Sequence, residues 1–194
     1  VQDMTLADME VDGKQRKVIM QAPKNGFFYV IDRSNGELLR AHPYVQTTWA
    51  SHVDMETGRP VENKELDYSD RAQWVLPGPL GGHDWQAMSF DEKKGVVYIP
   101  AQDFPFLYSL DSEFKATGLY KRNPGTMNLG LDLKNITFDQ VKYEDEALDA
   151  KGYLKAFDPL TGEELWNVDH VHYWNSGVVA TAGGLVFQGD GLGY

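Results

Sequence analysis

Apolar positions along this chain fall in short runs and not at helical spacing. Lys17-Val18-Ile19-Met20-Gln21 is one brief apolar run, and Gly26-Phe27-Phe28-Tyr29-Val30-Ile31-Asp32 is aromatic and β-branched. Gly95-Val96-Val97-Tyr98-Ile99-Pro100 and Gly184-Leu185-Val186-Phe187-Gln188-Gly189 share that character, while Gly152-Tyr153-Leu154-Lys155-Ala156-Phe157-Asp158 alternates. Each run is bounded by Gly, Pro, Asn or Asp. That pattern predicts strands between tight turns and leaves few windows for an amphipathic helix.

A punctuation repeats between the runs. Asp32-Arg33-Ser34-Asn35-Gly36, Asp54-Met55-Glu56-Thr57-Gly58, Asp91-Glu92-Lys93-Lys94-Gly95 and Asp158-Pro159-Leu160-Thr161-Gly162 place Asp four residues before Gly. The aspartate ends one strand and its carboxylate accepts turn amides. The glycine takes a positive φ and the next strand leaves. The spacing also resembles a fragment of a calcium loop, but further acidic ligands at fixed positions are missing, so turn-making is the favoured reading. Trp166, four residues after Gly162, is placed to cap a sheet edge.

Repeated hairpins of this kind predict an all-β chain, and a β-propeller in particular. A blade takes ~40–50 residues, so residues 1–194 read as one partial propeller domain of about four blades. Residues 103–150 differ. They are polar, with Asn123-Pro124-Gly125, Asn128 and the acidic run Glu144-Asp145-Glu146. They read as a long loop inserted between blade strands, a kind of segment that tends to overlie functional faces.

Composition narrows the function classes. Hydrophobic residues make up 42% of the 194 and charged residues 24%, which is globular. Lys plus Arg number 18 against 29 acids, a formal charge of −11, which argues against nucleic acid or an anionic membrane as partner. There are no cysteines, so disulfides, thiolate metal sites and thiol nucleophiles are excluded within this stretch. No apolar run approaches the ~20 residues of a spanning helix. Val1-Gln2-Asp3-Met4 shows no signal-peptide pattern, and both ends read as cuts through ongoing structure.

Longer motifs then become specific. Gln21-Ala22-Pro23-Lys24-Asn25-Gly26-Phe27-Phe28-Tyr29-Val30-Ile31-Asp32-Arg33 closely resembles a blade signature of pyrroloquinoline quinone (PQQ)-dependent, or quinoprotein, alcohol dehydrogenases. Gly81-Gly82-His83-Asp84-Trp85-Gln86-Ala87-Met88-Ser89-Phe90 resembles a second signature of that family, followed by Tyr98-Ile99-Pro100-Ala101-Gln102. Trp174-Asn175-Ser176-Gly177 and Ala180-Thr181-Ala182-Gly183-Gly184-Leu185-Val186-Phe187-Gln188-Gly189 resemble a third. The resemblance implies an eight-bladed propeller in the periplasm, with PQQ near its axis beside a calcium ion. It also implies an alcohol oxidised to an aldehyde or ketone, with hydride passing to the quinone and electrons leaving to a cytochrome or other acceptor.

Carried over position by position, the resemblance makes Lys24, Asp84 and Trp85 the cofactor-binding residues. A lysine can hydrogen-bond a quinone oxygen and stabilise the negative charge that builds there. Trp85 offers an indole N–H and a flat wall. Asp84 departs from the Asn usual in the family. An amide donates and accepts, whereas a carboxylate only accepts; pairing with a cation such as Lys24 is one way to hold it. Trp174 and Asn175 fall where the family lines the pocket. His83 reads as a hydrogen-bonded structural residue, and Trp49 as blade packing. His170 and His172 form a His-x-His pair without further ligand spacing.

The matched region implies no catalytic residue and no metal ligand within these positions. The family's base aspartate, calcium-binding Glu and Asn and adjacent-cysteine disulfide lie upstream of it, and no Cys-x-x-Cys-His haem motif is present. The piece alone is therefore expected to be inactive. Two other readings remain open. One is a non-enzymatic propeller serving as a binding or scaffold module, which would need the turns but not Lys24 and Asp84-Trp85. The other is a quinoprotein with a changed substrate, marked by Asp84.

Overall fold

The computed structural model describes residues 2–125, 127–132 and 150–193. The acidic run at 144–146 lies outside them. The first sheet is an antiparallel meander of β1 (Thr5–Val11), β2 (Lys14–Gln21), β3 (Phe27–Asp32) and β4 (Leu38–Pro43). A two-residue turn, Asp12 at φ 53° and Gly13 at φ 73°, joins β1 to β2, with Val11 opposite Lys14. That geometry matches the right-handed strand twist and suits Asp-Gly. Alternation along β3 buries Phe28 and Val30 completely.

Two short pairs follow in sequence. β5 (Ala50–Val53) pairs with β6 (Pro60–Glu62). β7 (Gln73–Val75) finds its partner further along the chain. The second sheet begins with β8 (Ser89–Asp91) and β9 (Val96–Asp103); β10 (Phe106–Tyr108) then turns back to pair with β7. A short helix, α1 (Ser112–Thr117), is capped by the Asp111 side chain at its start and by Gly118 in the left-handed region at its end. The second sheet resumes with β11 (Lys151–Phe157) and β12 (Glu164–His170), in the order β12-β11-β9-β8. Because Lys151 sits opposite Asp103, everything between them departs from and returns to one point of this sheet. Finally, β13 (Val178–Ala180) pairs with β14 (Val186–Gln188).

The main core lies between the two four-stranded sheets. Val18, Met20, Phe28 and Val30 from the first meet Val97, Ile99 and Phe157 from the second in one buried cluster, and the Phe28 and Phe157 rings sit 5.4 Å apart. The 158–162 turn of the second sheet docks on β4: the Leu160 carbonyl accepts from Arg40 Nε at 3.2 Å and meets His42 Nε2 at 3.2 Å. Four-stranded antiparallel sheets packed face to face in this way are the arrangement that neighbouring propeller blades require.

All four Asp/Gly turns have one geometry. Each aspartate carboxylate accepts backbone amides two or three residues on, as Asp54 does from Glu56 and Thr57 and Asp158 from Leu160 and Thr161. Gly36, Gly58, Gly95 and Gly162 donate their N–H to the aspartate carbonyls at 2.8–2.9 Å, all at positive φ. Hydrogen bonds from the Ser34 hydroxyl and amide hold the Asp32 carboxyl below its usual range, and Thr57 does the same for Asp54. Trp166 lies on the outer strand β12 and covers Tyr98, ring centroids 5.6 Å apart. Chain length alone suggests about four blades; among the described residues there are two four-stranded sheets and three two-stranded pairs.

Candidate cofactor site

Two loops build the site. Residues 22–26 between β2 and β3 carry Lys24, and residues 76–88 between β7 and β8 carry Asp84 and Trp85. They are far apart in sequence and are tied together by backbone and buried side chains. Gly82 N donates to Lys24 O at 3.2 Å, and Gln102 N on β9 donates to Gly82 O at 2.8 Å. The Gln102 amide nitrogen also donates to the Leu80 and Gly81 carbonyls, both at 3.1 Å. His83 is completely buried, with Nδ1 2.7 Å from Ala22 O and Nε2 against Gln86 O. It therefore has the structural role the sequence suggests. Behind it, Asp3 accepts from Met88 N at 3.2 Å, and burial raises its carboxyl above the usual range.

The approach is close enough to demand glycine. Gly81 has φ 77°, and a Cβ there would lie 2.5 Å from the Cα of Lys24. Gly82 is similarly crowded by Val45 and Tyr44. These two positions let the second loop lie directly on the first.

On this platform Lys24 Nζ sits 3.0 Å from Asp84 Oδ2 and donates to Pro79 O at 3.0 Å. The lysine side chain is 42% exposed and the aspartate 11%, so the carboxylate lies behind and the ammonium is presented to solvent. An ammonium carries three N–H donors. The Pro79 carbonyl takes one and Asp84 lies in ion-pair contact, which leaves donor capacity for an incoming acceptor. Trp85 follows Asp84 and is 63% exposed, an unusual exposure for so large an apolar surface. Its ring stands 6.5 Å from Trp174 at 60°. Beside Trp174, Asn175 is buried: its amide nitrogen donates to His172 O at 2.7 Å, while its Oδ1 is buried without a partner.

Three features were not evident from sequence. The Pro79 carbonyl and the crowding at Gly81 depend on a loop–loop contact that no local motif encodes. The third is an aromatic groove of about 420 Å³ beside Lys24, with Trp49, Tyr68 and Tyr108 among its walls. Trp49 does pack edge-on against Phe27 and donates its indole N–H to Asn25 O at 2.9 Å, and it also lines this groove. His170 Nε2 meets Gln188 Oε1 at 2.9 Å. Among the described residues no group of three or more His, Cys, Asp or Glu is placed to hold a metal ion, and no helix is long and apolar enough to cross a membrane.

No family model matches the chain. It is 42% identical over 193 residues to the dehydrogenase subunit of the quinone-linked alcohol dehydrogenase of Komagataeibacter europaeus, a match covering 97% of this chain and 25% of that protein. It superposes on a solved quinohemoprotein alcohol dehydrogenase from Pseudomonas putida with a TM-score of 0.84 and 40% identity, over 97% of this chain and 28% of that one. The chain belongs to the quinoprotein alcohol dehydrogenase family. It spans about a quarter of the length of the curated relatives it matches. The 1-butanol dehydrogenase (cytochrome c) of Thauera butanivorans is a further relative, 39% identical over 97% of this chain and 26% of that protein. The two four-stranded sheets are accordingly blades of a partial quinoprotein propeller. PQQ suits the residues that face outward here: a partly exposed ammonium and an exposed indole.

Proposed function

We propose that this chain supplies the cationic contact and one aromatic wall of the PQQ site of an alcohol dehydrogenase, which oxidises an alcohol to an aldehyde or ketone and passes the electrons to a cytochrome or other acceptor. The observation that carries the reading is the partly exposed Lys24 ammonium, paired with Asp84 and bonded to the Pro79 carbonyl, beside the exposed Trp85.

Bound PQQ would supply the two-electron acceptor. The chain's own residues act around it. Lys24 donates to an acceptor oxygen at the rim and stabilises negative charge growing there, from a position it does not have to search for. Trp85 gives a flat apolar face that excludes water from one side. The Gly81–Asp84 loop, locked by His83 and Gln102, keeps both groups in register.

The remaining machinery belongs to the same proposal. The family resemblance supports a calcium ion and a proton-accepting aspartate held by parts of a full-length enzyme outside the matched region, and a periplasmic location. The cytochrome c in the name of the Thauera relative supports an electron acceptor of that class.

The test uses the full-length enzyme with PQQ, calcium, an alcohol and a redox dye. Lys24→Ala should weaken PQQ binding by about 10- to 100-fold, the value of a hydrogen bond to a charged group, and Trp85→Ala by about tenfold. Wild-type protein that binds PQQ without oxidising any alcohol would sink the activity. Unchanged PQQ affinity in both variants would sink the site.

A further inference from the structure

Asp84 has no evident reason to carry a charge if it serves only as a loop residue. Its side chain is 11% exposed, its loop is fixed by Gly82, His83 and Gln102, and its Oδ2 lies against the one cation of the site. Lys24 has a second anchor in the Pro79 carbonyl, and the bare Cα of Gly81 packs against its backbone. The ammonium would therefore stay near this position even without the carboxylate. What the carboxylate adds beyond an amide of equal size is a negative charge 3.0 Å from Nζ.

We propose that Asp84 is a positioning and charge-setting residue. It holds Lys24 and cancels much of its field, so that the cofactor oxygen at Lys24 meets a nearly neutral ion pair in place of a bare cation. This rests on the cofactor-site reading above. Two consequences follow from electrostatics. PQQ carries carboxylates, so a neutral pair holds it less tightly than a lone ammonium would. Reduction adds two electrons to the cofactor, so cancelling the cation favours the oxidised form and lowers the midpoint potential. Both effects act at contact distance, where little water lies between the charges to screen them.

Asp84→Asn separates charge from position, because the amide keeps the size of the side chain and an oxygen beside Lys24 while the charge is gone. In the full-length protein this variant should bind PQQ about tenfold more tightly, by titration of tryptophan fluorescence. Its bound cofactor should also have a higher midpoint potential by spectroelectrochemical titration. A tenfold preference for the reduced form equals about 30 mV for a two-electron couple. In a Lys24→Gln background the carboxylate's own charge still acts on the cofactor, so the same change should again raise affinity and potential, while the part it contributes by holding the ammonium is lost. An Asp84→Asn variant with unchanged or weaker PQQ binding and an unchanged potential overturns the proposal. If Lys24→Gln itself leaves PQQ affinity unaltered, it is the cofactor-site reading that has failed.

Discussion

At the scale of single residues the site depends on what is missing from Gly81 as much as on what Lys24 and Trp85 provide. A methyl group at 81 would meet Lys24 Cα and Cγ at 2.5 Å, and the backbone there has φ 77°. Neither neighbour is free to move, because Gly82 and Gln102 hold the two strands of the loop in place. Gly81→Ala should cost about 2 kcal/mol or more of stability, from left-handed strain and overpacking together, and should weaken PQQ binding by displacing Lys24. Thermal unfolding and a cofactor titration of the full-length variant check both. Normal stability with normal affinity would show that the loop contact is looser than described. Long motifs single out Lys24, Asp84 and Trp85 in the sequence, and the structure brings the first two into contact. The Pro79 carbonyl and the groove beside Trp49 were not legible there, since they arise from packing between segments far apart in the chain, from Lys24 to Tyr108.

At the scale of elements, the Asp-x-x-x-Gly spacing was enough to place turns, and the apolar runs were enough to place strands. Val18–Met20, Phe27–Asp32 and Val96–Pro100 all lie within strands where period and turn chemistry agree. β1 was less visible, because Ala7, Met9 and Val11 alternate with Asp8 and Glu10 and form no apolar run, so that only the Asp12-Gly13 turn announces the hairpin. The pairing of β9 with β11 was not legible either, since a long polar segment separates them in sequence. The turns also differ in what they touch. A Cβ at Gly36 would meet nothing, whereas at Gly162 it would meet the His42 ring at 2.6–2.8 Å, where the second sheet docks on the first. Gly36→Ala should therefore cost about 1–2 kcal/mol, the left-handed penalty alone. Gly162→Ala should cost about 1–3 kcal/mol more, because overpacking is added. Denaturant unfolding of the two variants side by side tests the difference; equal losses would mean that the 158–162 turn does not fasten the sheets.

At the scale of the whole molecule, one face of the chain is finished and another is not. The core between the two complete sheets is buried, yet the outer strand β12 exposes Leu165, Trp166 and Val168, and the last pair exposes Val179, Leu185 and Phe187. In a ring of blades such surfaces meet neighbours, and uncovered edges and apolar faces invite association. This fits a chain that spans about a quarter of its relatives' length. The Lys24, Asp84 and Trp85 cluster has the same incomplete character, with a cation and an indole turned outward. The most direct test is the structure of the full-length protein with PQQ bound. Lys24 Nζ within about 3 Å of a quinone oxygen, still paired with Asp84, and Trp85 buried against the cofactor is the predicted result. PQQ bound elsewhere, with Lys24 and Trp85 still facing solvent, would contradict it.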